Sequence, residues 1–254
     1  MTEPMRVFVG TDESQLVPTK VLEYSIRKHA SGPIEFVGMT ADGMPVPKDK
    51  NQRPRTGFSF CRFTIPERCG YRGRALYLDA DMLVFTDIAE LWRLPFERQT
   101  MYCTWQPVTP SAWRGNPAFQ TGRHYAVMLL DCARLRWDVR EIVRGLDEGR
   151  YDYRQLMNEM CIVPAEQIDE GLGTEWNHLE RYEPGHTKNI HYTVVPTQPW
   201  KYRKNPHGAI WDQYLAEAVA AGVVTRDDVE QGVAKGLIHR DLLRFVRGGA
   251  AAAR

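Results

Sequence analysis

Apolar positions along this chain fall into short blocks whose spacing switches between strand and helix periods. Residues 5–10 (MRVFVG) make a nearly unbroken apolar run closed by glycine, the pattern of a buried strand. Over residues 19–29 the period becomes helical, with Val21, Leu22, Ser25 and Ile26 on one face and Pro18 near the start. Residues 34–39 return to a strand pattern. Strand, helix and strand in that order predict a right-handed crossover unit and the α/β class.

The strongest block lies at residues 75–85. Ala75, Leu76, Tyr77 and Leu78 run into Asp79-Ala80-Asp81, and a second apolar run, Met82 to Phe85, follows. Further strands are predicted at 100–105, 125–130 and 189–195, the last containing His191. Capping-box spacing at Asp87/Glu90, Asp138/Glu141 and Asp152/Gln155 opens helices, the first over residues 88–94 and the second stopped by Gly149. The Tyr153, Leu156, Met157 and Met160 stripe reads as core. Residues 168–182 are predicted irregular, as is the stretch from Trp105 to Arg123. Near the end, Ile210, Trp211, Tyr214, Leu215, Ala218 and Val219 form a helical stripe. A last helix, at 237–247, sets Ile238, Leu242, Phe245 and Val246 against Arg240, Arg244 and Arg247.

Composition narrows the class. The 254 residues suffice for a sizeable core, and the formal net charge of +1 gives no reason to expect a nucleic-acid partner. The five cysteines contain no CxxC pair, which reads as reduced, mostly buried thiols in a protein kept in the cytoplasm. No apolar run approaches a membrane span, and the first residues lack the apolar stretch of a signal peptide. Residues 41–56 form a polar loop whose Lys48, Lys50, Arg53 and Arg55 each read as solvated.

Three places carry candidate chemistry. On an extended backbone Asp79 and Asp81 point to one side, and two hard oxygen ligands at a strand's carboxyl end suit Mg²⁺ or Mn²⁺ beside substrate phosphates. Acidic pairs this close also occur at surface turns and in haloacid-dehalogenase phosphatases. The latter want glycine and threonine downstream, where Met82, Leu83 and Val84 stand here. Gly10-Thr11-Asp12 puts backbone amides and a carboxylate at the carboxyl edge of the first strand. Arg62 sits in an apolar segment (FSFCRFTIP) and needs an anionic partner.

Taken in order, VFVGTD, Arg62, RALYLDADMLV, VMLLD, EWN and an HY segment running to PW resemble the retaining glycosyltransferases of the GT-A fold, closest to family 8, the glycogenin and bacterial galactosyltransferase group. The resemblance covers most of residues 5–200. It implies a single-domain, Rossmann-like fold with a mixed, mostly parallel sheet flanked by helices. With it go a transferase core over 1–205 and a helical extension over 206–247, while the run GGAAAAR at 248–254 reads as a flexible tail. Carried over residue by residue, it makes Asp79, Asp81 and His191 the metal ligands, with Mn²⁺ or Mg²⁺ bridging the diphosphate of a UDP-sugar. Gly10, Thr11 and Asp12 line the nucleoside pocket, and Arg62 and Ala80 lie at the donor.

The family's late motif, HxxGxxKPW, is here His191 followed by YTVVPTQPW, with Gln198 where the lysine is usual. Lys201, Arg203 or Lys204, just beyond, is then expected to supply the missing charge. His124-Tyr125-Ala126 replaces an asparagine-small-glycine run, and Tyr153-Arg154 replaces an Asp-Gln pair. The expected reaction moves a hexose to a hydroxyl of a glycan or lipid-linked saccharide. It follows a front-face path in which the leaving diphosphate accepts the acceptor's proton. No side chain is assigned as nucleophile or base; Asp131, Asp152, Glu159 and Glu175 qualify by type alone. The 237–247 helix either packs on the core or meets an anionic membrane surface. Two alternatives use the same aspartates: a nucleotide-sugar-binding relative without turnover, and a nucleotidyl or phosphoryl transferase.

Overall fold

The computed structural model describes residues 3–54, 56–106 and 122–247. Arg55, most of the stretch between Trp105 and Arg123, and the tail 248–254 lie outside the described residues. In chain order the elements are β1 (Met5–Gly10), α1 (Leu16–His29), β2 (Ile34–Met39), a 3-10 segment (Ser59–Thr64) leading into α2 (Ile65–Arg68), β3 (Arg74–Asp79), β4 (Met82–Val84) and α3 (Ala89–Trp92). Then come β5 (Met101–Trp105), β6 (Arg123–Asp131), α4 (Val139–Asp147), α5 (Tyr153–Glu159), β7 (Ile168–Leu172), β8 (His178–Leu179) and β9 (Asn189–His191). The chain closes with α6 (Gly208–Ala220), α7 (Arg226–Ala234) and α8 (Arg244–Arg247).

These elements gather into two compact units whose segments alternate along the chain. The first holds residues 1–10, 32–79 and 89–177. Its six-stranded sheet runs β2-β1-β3-β6-β5-β7. Three of its five pairings, β1 with β2, β1 with β3 and β5 with β7, are parallel. The α/β class and the mixed, mostly parallel sheet are as expected. Phe8, Tyr77, Met128 and Leu130 pack on one face against Phe60 and Phe63 of the 3-10 segment and Ile142, Val143 and Leu146 of α4. Val7, Val9, Leu76, Leu78, Val127 and Leu129, on the other alternation, are buried too. Burial on both faces is why these strands read as continuous apolar runs.

The helices of this unit start where their caps direct. Asp138 accepts from Arg140 N at 2.8 Å, and Asp152 with Gln155 completes a reciprocal capping box on α5. After α4, Gly149 takes φ +68°, a left-handed turn that glycine adopts without strain.

The second unit holds residues 11–31, 80–88 and 178–254. Its sheet runs β4-β9-β8. Its core gathers Val17 and Val21 of α1, Leu83 of β4, Ile190 of β9, Tyr192, Trp200, and Trp211 and Leu215 of α6. The Ser25 hydroxyl, buried on α1, donates to Leu22 O at 2.8 Å and accepts Val84 N at 3.1 Å, fastening the helix to β4. Lys20 reaches Asp228 of α7 at 2.6 Å.

Several expectations change. The first helix starts at Leu16 instead of residue 19. The late strand stops at His191, and Val195–Thr197, with Pro196 unable to donate to a ladder, coils into a 3-10 turn. Residues 168–182 are not wholly irregular, for β7 and β8 both pair within them. The predicted 88–94 helix shrinks to Ala89–Trp92, and the 237–247 helix to a 3-10 turn, Arg240–Leu243, followed by α8. In that last segment Ile238, Leu242 and Val246 are buried while the three arginines are exposed.

Candidate active site

Asp79 ends β3, and its partner across the parallel ladder is Gly10, the last residue of β1. Glycine is required at position 10 by space: a Cβ there would stand 2.9 Å from Cδ2 of Phe58 and 3.4 Å from the Tyr77 hydroxyl. That hydroxyl donates to Oδ1 of Asp79 at 2.6 Å.

Arg62, only 8% exposed, serves the same oxygen. Its guanidinium donates to Ser59 O (3.1 Å), Tyr125 O (3.1 Å), the Tyr77 hydroxyl (3.0 Å) and Asp79 Oδ1 (3.2 Å), and lies 4.5 Å from the centre of the Tyr77 ring. Burial alone would lower the Arg62 pKa; Tyr77 and Asp79 outweigh it and hold the value above that of an ordinary guanidinium. The anionic partner that Arg62 requires is therefore Asp79. Its carbonyl acceptor at Tyr125 comes from an irregular ladder. β6 advances from Met128 to His124 while β5 advances from Cys103 to Thr104, so Tyr125 has no partner on β5.

Asp79 and Asp81 do not share one extended strand, contrary to the expectation above. β3 stops at Asp79, Ala80 and Asp81 form a turn, and β4 begins at Met82. The reason is a change of partner: Met82, Leu83 and Val84 pair antiparallel with His191, Ile190 and Asn189, and Asp81 O accepts Tyr192 N at 2.8 Å. The turn still brings the acids together. Among the described residues, Asp79, Asp81 and His191 form a group whose ligand atoms lie within 4.8 Å of one another.

His191, 4% exposed, places Nε2 3.0 Å from Asp81 Oδ1. Gln198, 1% exposed, donates Nε2 to Asp81 Oδ2 at 3.1 Å and to Tyr192 O at 2.8 Å. Two carboxylates and an imidazole are a donor set for a divalent first-row ion or Mg²⁺, so the residues present fit a cation of that kind.

The other predicted residues have local duties. Thr11 shares a hydrogen bond with Thr19 at 2.8 Å. The Asp12 carboxylate accepts the Ser14 hydroxyl at 2.6 Å and Gln15 N at 3.2 Å, capping the 3-10 turn Glu13–Gln15 that precedes α1. Ala80 is buried in its turn. Lys201 follows Trp200 in a turn closed by its own N–H on Gln198 O, and Arg203 beyond it pairs with Asp241 at 3.2 Å.

Beside Asp79 opens a cleft of about 210 Å³, whose walls include Ser59, Arg62, His124, Tyr125, Tyr153 and Asn158. Asp79 is the one carboxylate among the described residues that line it. Asn177 Nδ2 lies 2.8 Å from His124 Nδ1 and 3.1 Å from Thr104 Oγ1. An amide nitrogen donates, so Nδ1 accepts and the proton of the neutral ring sits on Nε2. Neither His124 nor Asn158 was singled out as a site residue by sequence reasoning. The signal for His124 was its place in the run that departs from the family pattern; Asn158 carried none. Among the acids named by type, Asp131 pairs with Arg134, Asp152 caps α5 and Glu159 pairs with Arg154.

Comparison with known proteins bears on the family and the fold. Residues 34–125 match the model of glycosyl transferase family 8. The chain is 31% identical over 112 residues to Protein CDI of Arabidopsis thaliana; the match covers 42% of this chain and 43% of that relative, less than half its length. Among solved structures, the galactosyltransferase LgtC in complex with donor and acceptor sugar analogs superposes with a TM-score of 0.60 at 13% identity, covering 87% of this chain and all of that one. The glycosyltransferase GlyE of Streptococcus pneumoniae gives 0.56 at 14% identity, over 87% of this chain and 64% of that one. The fold is that of the GT-A glycosyltransferases, and the family 8 resemblance read from the sequence is matched independently over residues 34–125.

Proposed function

We propose that this protein is a metal-dependent glycosyltransferase that moves a hexose from a UDP-sugar to a hydroxyl of a saccharide or lipid-linked saccharide, with retention. The observation that carries the reading is the convergence of Asp79, Asp81 and His191, in a chain whose residues 34–125 match family 8. Those three side chains would hold Mn²⁺ or Mg²⁺, which when bound offsets the negative charge gathering on a departing diphosphate. Arg62 and Tyr77 fix the Asp79 carboxylate before any ligand arrives, so little reorganisation is left for the moment of reaction. The cleft beside Asp79 has room for about one sugar ring, and Ser59, His124, Tyr153 and Asn158 line it with groups able to meet sugar hydroxyls.

Gly10, Thr11 and Asp12 are assigned to the nucleoside and Lys201 to the diphosphate. With no other carboxylate among the described lining residues, the leaving diphosphate is the base we favour. We place the protein in the cytoplasm, a reading supported by its free cysteines, four of them buried. Among the described residues no helix is long and apolar enough to cross a membrane. Since Ile238, Leu242 and Val246 are buried, an anionic membrane surface would meet chiefly the exposed Arg240, Arg244 and Arg247.

Thermal melting with UDP, GDP and ADP, each with Mn²⁺ or with EDTA, tests this reading. A nucleotide at a hundred times its dissociation constant adds about 2.7 kcal/mol of stability. The expected result is a shift with UDP that needs Mn²⁺ and disappears in Asp81→Ala. No shift with any nucleotide would overturn the donor assignment. A shift without sugar release from any UDP-hexose would favour a binding protein that lacks turnover.

A further inference from the structure

We infer that Gln198 is a positioning residue that holds the Asp81 carboxylate ready for a divalent cation, an inference that rests on the metal reading above. The family pattern puts a lysine here, directly before Pro-Trp, and a lysine would bring a positive charge to the pair of acids. This chain has a neutral amide instead. Its nitrogen has two acceptors, Asp81 Oδ2 at 3.1 Å and Tyr192 O at 2.8 Å. Both are oxygens, so the amide must present nitrogen to them, and the orientation of the carboxamide is settled by chemistry.

The two acceptors play different parts. Tyr192 is fully buried, and its N–H in turn donates to Asp81 O. The carboxamide thereby ties the side chain of Asp81 to the stretch of backbone that already grips its main chain. With Oδ2 held by Gln198, the carboxylate plane is set and Oδ1 is turned to His191 Nε2, 3.0 Å away. Asp81 and His191 would then hold a cation with the carboxylate already oriented.

Gln198 is itself rigid. It is 1% exposed, follows the 3-10 turn Val195–Thr197 and precedes Trp200, whose ring packs 5.5 Å from Trp211. The amide oxygen Oε1 is buried with no hydrogen-bond partner among the described residues. The two hydrogen bonds that the carboxamide makes among the described residues both come from its nitrogen. The side chain is explained by what its nitrogen does for Asp81. A cation site takes its geometry from such outer partners as much as from its ligands.

The test is direct Mn²⁺ binding, read from the electron paramagnetic resonance signal of the free ion with no nucleotide present, beside melting in EDTA. The proteins are wild type, Gln198→Ala and Gln198→Met; methionine keeps the length of the side chain and removes the donor. We expect Mn²⁺ binding to weaken about tenfold to a hundredfold in both variants, with Gln198→Met melting in EDTA close to wild type. If both variants bind Mn²⁺ as wild type does, Gln198 does not position Asp81. If both melt lower but their folded fraction binds normally, the role is packing and the inference is overturned. Wild type that binds no Mn²⁺ would overturn the metal reading itself, a result distinct from either.

Discussion

The two aspartates stand one residue apart, yet their surroundings differ in kind. Asp79 closes a strand of the six-stranded sheet, and a buried arginine and a phenol both serve one of its oxygens. Asp81 lies in a turn, and an imidazole and a neutral amide take one oxygen each. A buried cation beside Asp79 makes that carboxylate part of what holds the fold. The Asp81 carboxylate has an imidazole on one oxygen and an amide on the other, with no guanidinium like that of Arg62 among these partners. On the metal reading proposed above, stability is expected to rest more on the first acid and ligand response more on the second.

The comparison breaks most visibly at Arg62. Replacing it by methionine removes the cation from Asp79 and strands the Ser59 and Tyr125 carbonyls, so urea denaturation of Arg62→Met should show a loss of about 3–5 kcal/mol. A loss below about 1 kcal/mol would mean that Asp79 is not anchored as described.

At the other acid the effect on stability should be much smaller. Asp81→Asn keeps an acceptor for Gln198, so melting in EDTA should change by about 1 kcal/mol or less, while the Mn²⁺-dependent shift with UDP is lost. Equal destabilisation by Arg62→Met and Asp81→Asn would erase the distinction.

A third carboxylate supplies the reference of least effect. Burial pushes the Asp228 carboxyl up, but hydrogen bonds from Lys20 and Thr225 outweigh that and hold its pKa below the usual carboxylate value. A depressed folded pKa stabilises at pH above the unfolded value, about 3.9, and the contribution is lost as pH falls through the folded value. Unfolding free energies of Lys20→Met and wild type should thus differ near neutrality, by no more than about 1 kcal/mol, and converge in acid.

The central strands and the acid pair were legible in sequence because burial on both faces writes an unbroken apolar run, and Ala75 to Leu78 is such a run. Their continuation was not. Nothing within ALYLDADMLVF announces that the strand changes partners at Ala80, since the pairing of Met82–Val84 with Asn189–His191 is set by residues more than a hundred positions away. β7 (IDEGL) is hard to read because an edge strand half open to water carries acids and glycine where a central strand carries apolar residues. α7 (RDDVEQGVA) buries only Val229 and Gly232, too narrow a stripe to stand out, although Thr225 and Asp228 form a capping box at its start. At the site, Arg62 announced its need for an anion, but the identity of that anion depended on the fold.

The irregular ladder between β5 and β6 has a consequence for how this site can change over time. The acceptor that Tyr125 offers to Arg62 is a main-chain carbonyl, which any residue at that position would supply. Substitution there is cheap so far as Arg62 is concerned; deletion is not, because a chain shortened between His124 and Met128 would draw β6 back toward regular pairing and take the carbonyl away. Lineages carrying this arrangement should therefore keep the length of this stretch even where its buried residues are exchanged for others of similar size, and removing one residue should do more harm than a conservative replacement of Tyr125.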